Sequence, residues 1–228
     1  MKSVDAIFID FYGTISSGDR EIVEQVCSRL VEDLGLSMSA SQFAVTWGEH
    51  FFAMLDESNR DGFRTLQACE LMSLSLMLES CDRKIDVRPY VADLEAYWAD
   101  PPVYEDALAF LAGNSLSICC VSNADTGPLQ RAIARHGLTF DAVVSSEDAR
   151  CYKPGAGIFD RALAALNTTA DRVVHVGDSL YSDIGGARQR GIGAVWLNRQ
   201  SRIHDIGSVQ PDHTISLLTE LSGLLASL

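Results

Sequence analysis

The chain is short of positive charge. Against 31 Asp and Glu it has 18 Lys and Arg, a net charge of −13, and only three of the cations are lysines: Lys2, Lys84 and Lys153. No basic stripe is available to release counterions, so a nucleic acid or an anionic membrane surface is not an expected partner. A small anionic substrate stays open, because a metal ion and a few local cations override a global charge. The six cysteines (27, 69, 81, 119, 120 and 151) form no CxxC pair. Cys119 and Cys120 sit inside an apolar run, and all six read as reduced structural thiols. The start has no basic, then apolar, then small-residue pattern of a signal peptide, and no apolar stretch is long enough to span a bilayer. Internal repeats and low-complexity segments are also missing. A soluble cytoplasmic protein is expected.

What the chain does have is enough apolar content, 47% of 228 residues, for one or two domains with a sizeable core. The stretch that organises it runs from Val4 to Thr14. Ala6 to Ile9 has the β-branched, apolar character of a buried strand, and it ends in Asp10, Phe11, Tyr12, Gly13 and Thr14. A carboxylate at the end of a buried strand is a costly placement that asks for a reason. Four helices are then predicted without a strand between them. The first carries Ile22, Val26 and Leu30 and stops at Gly35. The second is capped at Ser39 or Ser41, the third runs from Phe63 to about Ser80, and the fourth passes through Val91 and Trp98. Such a run reads as a small bundle.

From Pro102 helices and strands alternate. Strands are predicted at Ser117–Val121, Ala142–Val144, Val173–Val176, Gly193–Leu197 and Thr214–Ile215. Helices fall between them, including Ser182 to Arg190, and a last one covers Leu217 to Leu225. The expected fold class is α/β, a doubly wound parallel sheet formed by residues 1–15 and 100–228, with residues 16–99 inserted after the first strand as a helical cap. An insertion at the C-terminal edge of the sheet sits as a lid over a site there.

Strand ends are where such sheets bind ligands. The first strand ends in Asp10, the second in Ser122-Asn123, the third in a polar loop reaching Lys153-Pro154, and the fourth in Gly177-Asp178-Ser179 with Asp183 beyond. Each signature alone reads more simply as a turn or a helix cap. Together they place three carboxylates in one crevice, which repel unless neutralised by Lys153 and a divalent cation. Oxygen ligands suit Mg²⁺. An ionised Asp10 held there is able to act as a nucleophile, with Ser122 binding the oxygens of a transferring phosphoryl group.

The order and spacing of these motifs resemble the haloacid dehalogenase superfamily of hydrolases along the whole chain. Asp10-Phe11-Tyr12-Gly13-Thr14 is similar to the family's first motif, Ser122-Asn123 to the second, Lys153-Pro154 to the third, and Gly177-Asp178-Ser179-Leu180-Tyr181-Ser182-Asp183 to the fourth. The resemblance implies that Asp10 is the nucleophile and that Ser122 and Lys153 orient the substrate. It implies that Asp10, the Tyr12 carbonyl and Asp178 hold Mg²⁺, with Asp183 beside the metal or paired to Lys153. Asn123 and the Tyr12 side chain join the candidate catalytic set.

Tyr12 departs from the pattern. Phosphatases of the family carry a general-acid Asp at this position, whereas its 2-haloacid dehalogenases carry Tyr, use no metal and lack the Gly177-Asp178 pair. Three carboxylates without a cation would face an anionic substrate with uncompensated charge. The favoured reading is therefore a Mg²⁺-dependent hydrolase of a small organic phosphate through an aspartyl-phosphate on Asp10. The alternative is a metal-independent 2-haloacid dehalogenase. Behind these stand a phosphonate hydrolase using Lys84 and a non-catalytic binding module. His50, Arg60, Arg64 and Trp47 are the cap positions considered for substrate contact, each more simply a surface or packing residue. A monomer or homodimer is expected.

Overall fold

The computed structural model describes residues 4–59, 62–202 and 209–227. Its centre is β1 (Ala6–Ile9), whose four residues are all buried. Four helices follow without an intervening strand: α1 (Asp19–Leu34), α2 (Ala40–Ser58), α3 (Leu66–Ser80) and α4 (Arg88–Ala99). The alternating part comprises α5 (Glu105–Gly113), β2 (Ser117–Ser122), α6 (Thr126–Arg135), β3 (Ala142–Ser145), α7 (Ser146–Ala149), α8 (Ala156–Ala165), β4 (Val173–Gly177), α9 (Gly186–Gln189), β5 (Gly193–Leu197), β6 (His213–Ile215) and α10 (Thr219–Leu225).

The six strands form one sheet in the order β3-β2-β1-β4-β5-β6, and every described pairing is parallel. Alternation along β1 supplies both faces. Ile7 and Ile9 pack with Phe110, Leu129 and Leu221 on the side of α5, α6 and α10. Ala6 and Phe8 pack with Ile158, Phe159 and Ala187 on the side of α8 and α9. A sheet buried on both faces explains why its strands read as continuous apolar runs. The chain leaves β1 in opposite directions across β2 and β4, which opens a crevice at their C-terminal ends.

The helical insertion has a core of its own, built from Val26, Leu30, Phe43, Trp47, Leu74, Met77, Tyr90 and Val91 among others. Its punctuation follows local chemistry. Gly35 adopts φ 55 to stop α1, and Ser39 with Gln42 forms a capping box at α2. The third helix starts at Leu66 rather than Phe63, because the Thr65 hydroxyl accepts from the Ala68 N–H and sets the boundary there. Asp125, from the loop after β2, supplies further caps across the chain. Its carboxylate accepts from the Leu66 N–H at 2.6 Å and the Gln67 N–H at 3.0 Å. Tyr152 clasps the same region from the loop before α8. It is fully buried, stacks on Phe63, donates its hydroxyl to the Arg64 carbonyl at 2.8 Å, and exchanges two backbone hydrogen bonds with the Asn59 side chain.

The segment read as a helix from Ser182 to Arg190 is a wide π-helical turn, Leu180–Gly185, followed by the single turn of α9. The widening lets Asp183 fold back against Gly177, where a Cβ would lie 2.2 Å from the Asp183 carboxyl carbon. The Ser179 hydroxyl accepts from the Ser182 N–H inside the turn. One further short helix, α7, lies in the segment after β3 that reads as a loop in the sequence. Among the described residues no helix is long and apolar enough to cross a membrane.

Candidate active site

The crevice brings together the strand-end residues named from the sequence. A cleft of about 780 Å³ is lined by Asp10, Tyr12, Ser122, Asn123, Lys153, Asp178 and Asp183, with walls that include Phe51, Leu55 and Leu66 of the insertion. At its floor Lys153 is 4% exposed, and its ammonium spends its hydrogen bonds on Asp10 Oδ1 at 2.6 Å, Asp183 Oδ1 at 2.6 Å and the Val121 carbonyl at 2.8 Å. Asn123 holds the lysine from behind. Its Oδ1 accepts from the Lys153 N–H and its Nδ2 donates to the Lys153 carbonyl. The Lys153–Pro154 peptide is cis.

The two carboxylates on Lys153 are not equivalent. Burial alone would raise Asp183, but Lys153 and His175 outweigh it and hold the group below the usual carboxylate range. His175 Nε2 lies 2.9 Å from Asp183 Oδ1, and the Ser179 N–H reaches Oδ2 at 3.0 Å. Burial keeps His175 itself neutral-leaning, its pKa lowered. Asp10 lacks that extra support. Burial, with Asp183 close by, pushes it up to about 6 despite Lys153. Asp178 is half-buried and is pushed up to about 7, by burial first and then by Asp183 and Asp10. Oxygens of Asp10, Asp178 and Asp183 lie within 4.8 Å of one another. The Ser122 hydroxyl is buried with no protein partner and belongs to a residue that lines the cleft.

Tyr12 does not present its hydroxyl as a proton source. The phenol donates to the Trp98 carbonyl at 2.6 Å, and its ring meets Phe11 and Trp98 edge-on. Burial pushes its pKa far above the ordinary phenol value. Arg202 is a cation that the sequence reading did not include. It contacts the Asp178 carbonyl and carboxylate, the latter at 3.3 Å, from the segment between β5 and β6. Loop arginines carry no periodic or spacing signal, so nothing in the sequence singles it out. The cap positions considered for substrate contact fall elsewhere. Trp47 is buried in the insertion and donates to Ser73. Arg64 pairs with Glu57, and neither it nor His50 lines the cleft. Arg60 lies outside the described residues. The insertion instead contributes Phe51, Phe52, Leu55, Leu66 and Trp98.

Beside the cleft, behind Trp98, sits Glu70. One oxygen accepts from Trp98 Nε1 at 2.8 Å while the other is buried without a partner. Burial pushes it up to about 8. A folded pKa above the unfolded value means stability that is complete below about pH 4.5 and erodes as pH rises toward 8. Glu70→Gln keeps the acceptor for Trp98, so at pH 8 it is expected to raise the Tm by roughly 2–4 °C for each kcal/mol of charge burial relieved, and far less at pH 5. Equal shifts at both pH values in a thermal melt would contradict this account.

A family model for haloacid dehalogenase-like hydrolases matches residues 4–191. The chain belongs to that family. Among curated relatives, the (S)-2-haloacid dehalogenase 2 of Pseudomonas sp. (strain CBS-3) is 22% identical, over 99% of this chain and 97% of its own length. The pyrimidine 5'-nucleotidase YjjG of Escherichia coli (strain K12) is 30% identical, over 84% of this chain and 89% of its own. The solved L-2-haloacid dehalogenase from Xanthobacter autotrophicus superposes with a TM-score of 0.81 at 20% identity, covering 99% of each chain. The family assignment and the parallel α/β fold agree with the sequence reading. The preference for a phosphatase does not gain from these relatives. The hydrolase is a haloacid dehalogenase-like one, and dehalogenases match it over a greater share of its length.

Proposed function

We propose that this hydrolase cleaves a small organic phosphate through an aspartyl-phosphate on Asp10, with a divalent cation of the Mg²⁺ class as cofactor. The observation that carries the reading is Asp178. It stands within ligand distance of Asp10 and Asp183, beside a lysine already committed to those two. The donor set is hard oxygen, which suits Mg²⁺. Asp10, Asp178 and the Tyr12 carbonyl would hold the ion, and Asp183 serves chiefly to fix Lys153. When bound, the cation offsets the carboxylate charge and polarises the phosphoryl oxygens.

The chain's own residues do the rest. Lys153 keeps Asp10 ionised and aimed into the cleft. The orphan Ser122 hydroxyl and Lys153 orient the phosphoryl group, and Asn123 fixes the Lys153 backbone. The helical insertion acts as the cap, closing apolar side chains of α2 over the substrate and excluding water.

A second reading, a 2-haloacid dehalogenase, is favoured by Tyr12 and by the full-length dehalogenase relatives. There Asp10 would attack C2 and halide would leave without a proton. One experiment separates the two. Purified protein is assayed on phosphate esters and on 2-chloropropionate, with Mg²⁺ and with chelator. Phosphate release that chelator abolishes and Mg²⁺ restores is the expected result. Chloride release indifferent to chelator, without phosphatase activity, would establish the dehalogenase instead.

A further inference from the structure

We propose a second ligand site, between the helical insertion and the core, that takes a small organic cation: a primary ammonium on a short alkyl stem. It is a cavity of about 180 Å³ to which the core contributes Asp125, Pro128 and Arg131 and the insertion Gln67, Glu70 and Glu95. Tyr12, Leu66 and Trp98 line both this cavity and the catalytic cleft, and so form the partition between them. Glu70 is 3% exposed. One of its oxygens accepts from Trp98 Nε1 at 2.8 Å, and the other is buried with no partner. A buried carboxylate oxygen left unpaired is costly, and a donor brought by a ligand relieves it. The groups that act on this carboxylate, Trp98, Asp125 and Glu95, all line the cavity, so its charged end lies at the cavity wall. Burial, Asp125 and Glu95 push it up to about 8, and the group that pulls it down is the neutral Trp98 indole.

The rest of the lining fixes the class of donor. Asp125 is held by the Leu66 and Gln67 N–H groups, and Glu95 accepts from Gln67 Nε2, so both carboxylates are positioned while keeping lone pairs for a further donor. Arg131 is exposed and, among the described residues, pairs with none of the three acids. Three carboxylates against one arginine make the cavity negative, and its low-dielectric walls strengthen the pull on a cation. A bare metal ion fits less well. Among the described residues, the acidic group whose oxygens converge within 4.8 Å is Asp10, Asp178 and Asp183, and Glu70, Glu95 and Asp125 do not form another. An ammonium spans carboxylates set wider apart, because its N–H donors point in separate directions. Tyr12 and Trp98 supply the aromatic lining that organic cations favour, and Leu66 and Pro128 suit an alkyl stem. The inference concerns binding and holds whichever substrate Asp10 attacks.

The test is isothermal titration calorimetry at pH 8 and constant ionic strength, with n-butylammonium chloride as the probe and n-butanol and sodium chloride as controls. Saturable binding of n-butylammonium is expected, with none for n-butanol or sodium over the same range. Glu70→Gln and Glu95→Gln each delete one charged acceptor and are each expected to weaken binding by at least about 10-fold. The first keeps the acceptor for Trp98 and the second lies at a half-exposed position, so neither threatens the fold. Asp178→Asn is expected to bind the probe as wild type does, which separates this cavity from the carboxylate cluster of the cleft. Four results would overturn the proposal. They are no saturable binding, equal binding of n-butanol, wild-type affinity in both glutamine variants, and loss of binding in Asp178→Asn with none in Glu70→Gln.

Discussion

Replacing Lys153 with methionine is expected to destabilise the fold by about 3–5 kcal/mol, the cost of breaking a buried ion pair from one side, and to abolish turnover. The ammonium is buried between two buried carboxylates and a carbonyl. Methionine fills much the same volume, so the penalty comes from charge rather than from a cavity. Asp10 and Asp183 are then left 2.6 Å from where their counter-ion stood. The deficit is expected to shrink as pH falls and the orphaned carboxylates take up protons. Adding Asp183→Asn removes one of them and is expected to recover part of the loss, a coupling that a double-mutant cycle measures. Urea denaturation at pH 8 and pH 5 reads all of these. A loss below about 1 kcal/mol at pH 8 would mean that the three groups are not the coupled unit described here.

Asp10→Asn is the second large effect, and it falls on rate alone. An amide is no nucleophile, so kcat/KM is expected to drop by at least about 10⁴-fold on whichever substrate is turned over. The fold is expected to keep its strength, because the amide oxygen still accepts from Lys153. The pH dependence has a definite sign. Asp10 is pushed up to about 6, so its ionisation costs stability as pH rises through that value, and the variant is expected to melt no lower than wild type at pH 8. Residual activity above about 1% of wild type would remove Asp10 from the nucleophile's role.

Much of this was readable beforehand, because short-range chemistry dictated it. The apolar run of β1, the Gly35 stop, the Ser39 cap and the thiols at Cys119 and Cys120 each follow from their own few residues, and the structure places them so. The strand-end motifs converge because parallel strands put their ends on one edge. What could not be read depends on partners distant in the chain. Asp125 looks like an ordinary N-cap for α6, yet its side chain caps α3, some sixty residues earlier. Arg202 becomes a partner of Asp178 only through the β5–β6 connection. Tyr12 invites a role as acid until Trp98 is seen holding its hydroxyl. The π-helical turn is hidden for the same reason, since periodicity there cannot report the pull of Asp183 toward Lys153 and His175.

The central strand also has a kinetic meaning. β1 pairs with β2 and β4, so Ile7 must find Ile118 and Val174, and neither partner is near it in the chain. Loop closure over such lengths is slow, and non-local parallel pairing delays the folding transition. The insertion lies inside the first of those loops, and its core is made from its own four helices. If it collapses early, it draws the ends of that loop together and lowers the entropy of the search. Refolding is then expected to pass through a helix-rich intermediate, seen as far-ultraviolet ellipticity recovering before tryptophan fluorescence in a variant that keeps Trp196 on β5 and carries Trp47→Phe and Trp98→Phe.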